Sequence, residues 1–154
     1  MSNYINPDRG VVIAGLDPVV KFHSFKMHFE EVTADRALVE KDSGKLLGLN
    51  KSDGLTITLP SLAQASDGWY VDIYVKAANG SGNYVVSEHS DDTDKIVAFG
   101  QEIATTGAQI YKADTSTITF QTGPSLGDSV RIFCDGSQFV AKCLTQDDAG
   151  VVFA

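Results

Sequence analysis

The sequence predicts an all-β fold, a single-domain β-sandwich or compact barrel with an extended N-terminal arm, and three observations carry that prediction. Runs such as LTITLP (55–60), WYVDIYVK (69–76), STITF (116–120), SVRIFC (129–134) and QFVAKC (138–143) alternate apolar and polar residues, the repeat of a half-buried strand. Each of these runs is bounded within a few residues by Gly, Asp, Asn or Pro, residues that break a ladder or tolerate a turn. Roughly nine to eleven such runs follow one another at the spacing of a β-sandwich or small barrel. A chain of 154 residues fits one domain, and no stretch is rich enough in Pro or Ser to divide it.

Residues 1–19 place Pro7, Gly10 and Pro18 around Val11, Val12 and Ile13, and read as an extended arm or an edge strand. The body is expected over residues 20–154. Apolar residues at Val20, Phe22, Phe25, Met27 and Phe29 favour a strand with a phase change near Ser24, as a bulge would give. Residues 30–37 are a loop or a single helical turn, and 36–39 a short strand. DSGK at 42–45 is a turn into a return strand through Leu46, Leu47 and Leu49, and 50–54 is a polar loop.

Leu55, Ile57 and Leu59 share one face, and Pro60 stops the ladder because it has no amide to donate. Residues 61–66 form a loop with room for one helical turn. In the next strand Trp69, Val71, Ile73 and Val75 face the core. Tyr70, Asp72, Tyr74 and Lys76 face the other way, a polar-aromatic set suited to partial cover by a sheet, loop or subunit. AANGSGN at 77–83 is a turn to a partner strand at 84–87, HSDDTD at 89–94 an acidic loop, and 96–99 a strand ending in a turn at Gly100. Residues 101–106 are a short strand or irregular, and 109–112 and 117–122 are strands, the latter with Ile118 and Phe120 inward. A last hairpin joins Val130, Ile132 and Cys134 to residues 139–144 through Asp135-Gly136, with apolar residues on both phases of its return strand. Val151, Val152 and Phe153 form an apolar tip that needs a place to bury itself.

Formal charge is −8, from 12 basic and 20 acidic residues, and the second half of the chain carries most of the excess. No extended positive field exists to hold phosphates, so direct binding of nucleic acid is not expected. No apolar run reaches the length of a membrane-spanning helix, so no membrane partner is expected. MSNYINPDRG lacks the basic start and apolar core of a secretory signal, which predicts folding in the cytoplasm. Cys134 and Cys143 lie several rungs apart on the last hairpin and read as small core hydrophobes rather than a disulfide or metal ligands.

The chemistry-bearing residues form no expected active site. His23 and His28 would project to opposite faces of an uninterrupted strand, and His89 sits in the acidic loop. Asp91, Asp92 and Asp94 could supply part of a calcium shell, but EF-hand spacing and its glycine are missing, so a solvated turn is expected. No carboxylate pair is singled out by spacing, and neither a G-x-S-x-G elbow nor a phosphate-binding Gly-rich loop occurs. The expectation is a non-enzyme without cofactor or metal. Among the aromatic residues weighed as a sugar platform, Trp69 reads as core. Tyr84 stays a candidate, and Tyr70 and Tyr74 are the better ones for a sugar platform or a subunit contact.

ALVEKDSGKLLGLNKSDGLTITLPSLAQASDGWYVDIYV at 37–75, with its D-S-G-K turn and G-x-T-x-T-L-P strand, resembles a segment of tailed-phage virion proteins. GNYVVSEHSDDTDKIVAFG at 82–100 is similar to the element that follows there. The family is that of capsid decoration (cement) proteins and related small β domains of fibres and spikes. The resemblance implies a β-sandwich or β-tulip-like body, often a homotrimer, on the outer surface of an icosahedral head. It marks Leu38, Asp42, Ser43, Gly44, Lys45, Asn50, Gly54, Leu55, Thr56, Thr58, Leu59 and Pro60 as scaffold and transfers no catalytic residue.

The expected function is thus a virion structural protein, assembled in the host cytoplasm, that binds the major capsid protein lattice and clamps adjacent subunits. Capsid binding is assigned to Tyr4, Ile5, Val11, Val12 and Ile13, and subunit contacts to Tyr70, Tyr74, Val152 and Phe153. The alternative is a receptor- or glycan-binding domain of a tail fibre or spike, with a small carbohydrate-active enzyme as a third class.

Overall fold

Period-two patterning is realised as strands throughout the computed structural model, which describes residues 4–6, 10–12, 27–103, 107, 109–146 and 150–154. In chain order these are β1 (Tyr4–Asn6), β2 (Gly10–Val12), β3 (His28–Val32), β4 (Arg36–Ala37), a 3₁₀ turn (Glu40–Asp42), β5 (Lys45–Leu49), β6 (Leu55–Thr58), a one-turn helix α1 (Leu62–Ala65), β7 (Tyr70–Val75) and β8 (Tyr84–Ser87). They continue with β9 (Ile96–Glu102), β10 (Gln109–Thr115), β11 (Thr117–Phe120), β12 (Ser129–Cys134), β13 (Phe139–Thr145) and β14 (Val151–Phe153). The fold is all-β with two mixed sheets: seven strands in the order β10-β9-β13-β12-β7-β5-β3 and five in the order β14-β11-β8-β6-β4. Within the N-terminal segment β1 and β2 pair antiparallel with each other, Tyr4 opposite Val12 and Ile5 opposite Val11. Ile13, His23 and the phase change expected near Ser24 lie outside the described residues.

From β3 to β9 successive strands alternate between the two sheets. A chain that crosses to the other sheet and back reverses twice, so it re-enters its first sheet in the original direction. The neighbouring pairs β3–β5, β5–β7, β4–β6 and β6–β8 are accordingly parallel. This corrects two expected hairpins. The turn at 42–45 leads from β4 in one sheet to β5 in the other, and the 77–83 segment leads from β7 to β8, whose partners are β6 and β11. Gly100 is likewise not a turn: it lies buried inside β9, where an added methyl would crowd the Phe153 ring at 3.2 Å. The final hairpin is present, with Cys134 opposite Phe139, so its loop is four residues rather than two. One Asp135 carboxylate oxygen organises that loop by accepting from the amides of Ser137 and Gln138, each at 2.9 Å.

Side chains from both sheets enter one buried cluster, including Leu47, Leu49, Val71, Ile73, Ile132 and Phe139 from the larger sheet and Ile57, Val86, Ile118 and Phe120 from the smaller. Each such residue contributes about 1.5–3 kcal/mol on burial, and their number makes this cluster the main source of stability. Trp69 packs edge-on against Phe139 with centroids 6.0 Å apart and donates its indole N–H to the Val39 carbonyl. Cys134 and Cys143 are buried free thiols. Burial pushes the Cys143 thiol up to about 12, so it stays protonated and inert.

Two corners fix the crossings. At the first, Tyr84 is fully buried and its hydroxyl accepts from the Lys51 amide while reaching the carbonyls of Lys51 and Ala77. That corner requires close backbone approach, because a methyl at Gly82 would overlap the Asp53 carbonyl and one at Gly54 the Asn83 carbonyl. At the second, the Asp42 carboxylate is 2% exposed and accepts from Lys45 Nζ at 2.6 Å, Arg36 Nη2 at 2.8 Å and the Val39 amide at 2.9 Å. Glu30 on β3 binds the same Arg36 and Lys45, so four charged residues tie β3, β4, the 3₁₀ turn and β5 together.

Candidate functional site

Burying Val71, Ile73 and Val75 turns Tyr70, Asp72 and Tyr74 of β7 outward, and the strand registers carry that phase across the seven-stranded sheet. One row across its outer face runs Tyr111, Phe99, Lys142, Arg131, Asp72, Leu46, Phe29, from β10 to β3. A second row beside it holds Gln101, Leu144, Ser129, Tyr74, Gly48 and Glu31. On the other side stand Val97, Val140, Phe133 and Tyr70. Large apolar groups are open to solvent here: Tyr111 is 62% exposed, Leu144 48%, Phe29 45% and Phe99 44%.

The aromatic residues gather in two groups. Phe99 and Tyr111 lie 5.0 Å apart between centroids on one flank, and Phe29 and Tyr74 lie 6.4 Å apart on the other. Strands are about 4.8 Å apart, so β9 and β5 place these groups on the order of 20 Å from each other. Between them Arg131 grips Asp72 through Nε and Nη2 at 2.6 and 2.8 Å, a two-pronged pair that raises the already high affinity of the guanidinium for its proton. Lys142 stands over the Phe133 ring at 5.7 Å and Lys76 over Phe29 at 5.6 Å. Phe99, Tyr111, Lys142, Arg131, Asp72 and Tyr74 line a groove of about 1130 Å³ that Met27 borders.

The expected contact residues separate on the structure. Tyr70 and Tyr74 both lie on this face. Val152 points outward from β14, in the other sheet, and is 40% exposed. Phe153, assigned to a subunit contact, is instead 7% exposed and packs within its own chain beside Gly100, because β14 alternates and only one of its faces meets the core. Tyr4, Ile5, Val11 and Val12 fall on β1 and β2. Trp69 and Tyr84 are buried, so neither serves as a sugar platform.

The acidic loop spends its carboxylates on the chain itself. Asp92 accepts from the Leu62 amide at 3.1 Å, Asp94 from the Ser116 hydroxyl at 2.7 Å, and Glu88 from the amides of Asp94 and Lys95. Among the described residues no group of three His, Cys, Asp or Glu side chains is placed to hold a metal ion. The exposed apolar residues of the seven-stranded sheet's outer face that the sequence reading did not single out are Phe29, Phe99, Tyr111 and Leu144. Phe99 and Leu144 carried a signal, since each is a large apolar residue on the phase opposite to its strand's core set. No protein-family model matches this chain, and no curated protein matches it.

Proposed function

We propose that this chain is a virion structural protein, a head decoration (cement) protein that binds the outer surface of the major capsid lattice and stabilises it. We infer, as part of the same reading, that the two sheets stack as a β-sandwich, which is supported by a single core cluster fed from both. The observation that carries the functional reading is the open aromatic face of the seven-stranded sheet, since an uncovered apolar patch of this extent suits a protein that joins neighbours. The resemblance of residues 37–75 and 82–100 to phage decoration domains supplies the partner. The β1–β2 segment, with Tyr4, Ile5, Val11 and Val12, contacts the capsid in this reading, and residues of the sheet face meet neighbouring copies. Capsid binding adds stability by mass action once adjacent capsomers create the site.

Co-sedimentation with expanded, DNA-free heads built from the cognate major capsid protein tests the proposal. Saturable occupancy with heads, absent for unassembled capsid protein, is the expected result, and free protein at every ratio would overturn it. A second reading, a glycan-binding domain of a tail fibre or spike, is favoured by the groove itself, where ring faces flank Arg131, Asp72 and Gln101. Retention on a glycan array, lost on changing Phe99 and Tyr111 to Ala, would select it.

A further inference from the structure

We propose that two copies of this chain pack their seven-stranded sheets face to face, about a twofold axis parallel to the strands between β12 and β7. Rotation about such an axis keeps strand direction and reverses strand order. The axis relates β12 to β7, β13 to β5 and β9 to β3, so in the middle row Arg131 faces Asp72, Lys142 faces Leu46 and Phe99 faces Phe29 of the second copy, and Tyr111 on β10 lies beyond the overlap. In the adjacent row Phe133 faces Tyr70 of the second copy. Such self-complementarity is what an isologous contact requires, because every pairing must work in both directions.

Charge and area fit the same occupant. The chain carries −8, yet this face holds Lys76, Arg131 and Lys142 against Glu31 and Asp72, so the acidic excess lies elsewhere and the faces can meet without stacked like charges. The Arg131 side chain is 60% exposed and uses only part of its donor fork on Asp72, leaving N–H groups for the carboxylate across the axis. Six strands about 4.8 Å apart overlap across this axis, and three rows deep they share a face of about 29 by 20 Å. That is below the roughly 800 Å² per partner of a standard stable interface, as suits a reversible contact. Stacked sheets cross at about 30°, so the central pairs keep register while the ends drift, which makes Arg131 and Asp72 the positions to test.

Sedimentation velocity of the full chain, with neither capsid nor sugar present, is expected to show a reversible monomer–dimer equilibrium. Arg131→Asp and Asp72→Arg each set like charges opposite at both symmetric contacts and should weaken dimerisation by at least about tenfold. An equimolar mixture of the two variants should restore it, since unlike charges again meet at both contacts. The double variant Arg131→Asp with Asp72→Arg in one chain preserves the pair within the chain and across the axis, and should dimerise like the native protein. Monomer at all concentrations, a trimer, indifference to the single swaps, or failure of the mixture to recover would each overturn the proposal. Its failure leaves the head-decoration reading standing, and failure to bind heads leaves the dimer standing.

Discussion

Asp42 is the buried charge at the centre of the ion-pair cluster that joins β3, β4, the 3₁₀ turn and β5. Burial pushes its carboxyl upward, but Lys45, the Val39 amide and Arg36 together outweigh burial and hold it below the usual carboxylate range. Lys45 and Arg36 lower Glu30 in the same way. With both folded values depressed, the unfolded chain takes up protons first as pH falls. The stabilisation is therefore full above the ordinary carboxylate values of about 4 and is lost as pH drops through them toward the folded values. Asp42→Asn should cost about 2 kcal/mol at neutral pH and flatten the decline in stability between about pH 5 and 3, read by urea denaturation at each pH. Glycines at positive φ give a paired test of space against backbone. Gly68→Ala, at φ 84° with open surroundings, should cost about 1 kcal/mol. Gly82→Ala, at φ 76° against the Asp53 backbone, should cost about 3 kcal/mol or more in the same denaturation assay.

Strand β14 shows how one element divides its labour. Val151 and Phe153 enter the core while Val152, between them, stays outside, and β14 pairs with β11 at the border of the five-stranded sheet. Phe153→Ala should destabilise by about 3 kcal/mol, whereas Val152→Ser should fall within about 0.5 kcal/mol, measured as midpoint shifts in chemical denaturation. Equal losses at both positions would contradict the alternation. Strand β13 behaves alike: Phe139, Ala141 and Cys143 fill the interior and Leu144 is left in solvent, which resolves the two apolar phases of its sequence. Phase in each strand follows from which set of alternate side chains finds a second sheet to pack against, and apolar character on both sets gives no preference until that sheet is in place.

The crossing of the chain between its sheets makes most pairings of β3 to β8 parallel and separates strands that are adjacent in sequence. Such a body is held by its shared core and by the corners at Tyr84 and Asp42, while β1 and β2 form a two-stranded sheet separate from the two sheets of the body. Removing residues 1–18 should therefore leave the denaturation midpoint of the body unchanged while abolishing its binding to capsid particles, checked by co-sedimentation; full occupancy by the truncated chain would take capsid contact away from that segment. The distribution of charge belongs to the same level of description. An acidic surface with a near-neutral aromatic face confines close approach to that face, because like charges elsewhere oppose contact between copies.

Much of this could be read from residue order alone. The all-β class, the inward sets of β6 and β7, the turns at 42–45 and 67–68, the single helical turn near 62–65 and the burial of both cysteines follow from local rules, since alternation and turn chemistry act between residues a few positions apart. Tyr70 and Tyr74 were legible as an outward aromatic pair for the same reason. The parallel pairings, the strand role of Gly100, the buried place of Phe153 and the meeting of Phe29, Phe99, Tyr111 and Arg131 on one face were not. Each depends on which distant strands become neighbours, and a turn has the same residues whether it closes a hairpin or carries the chain across to another sheet.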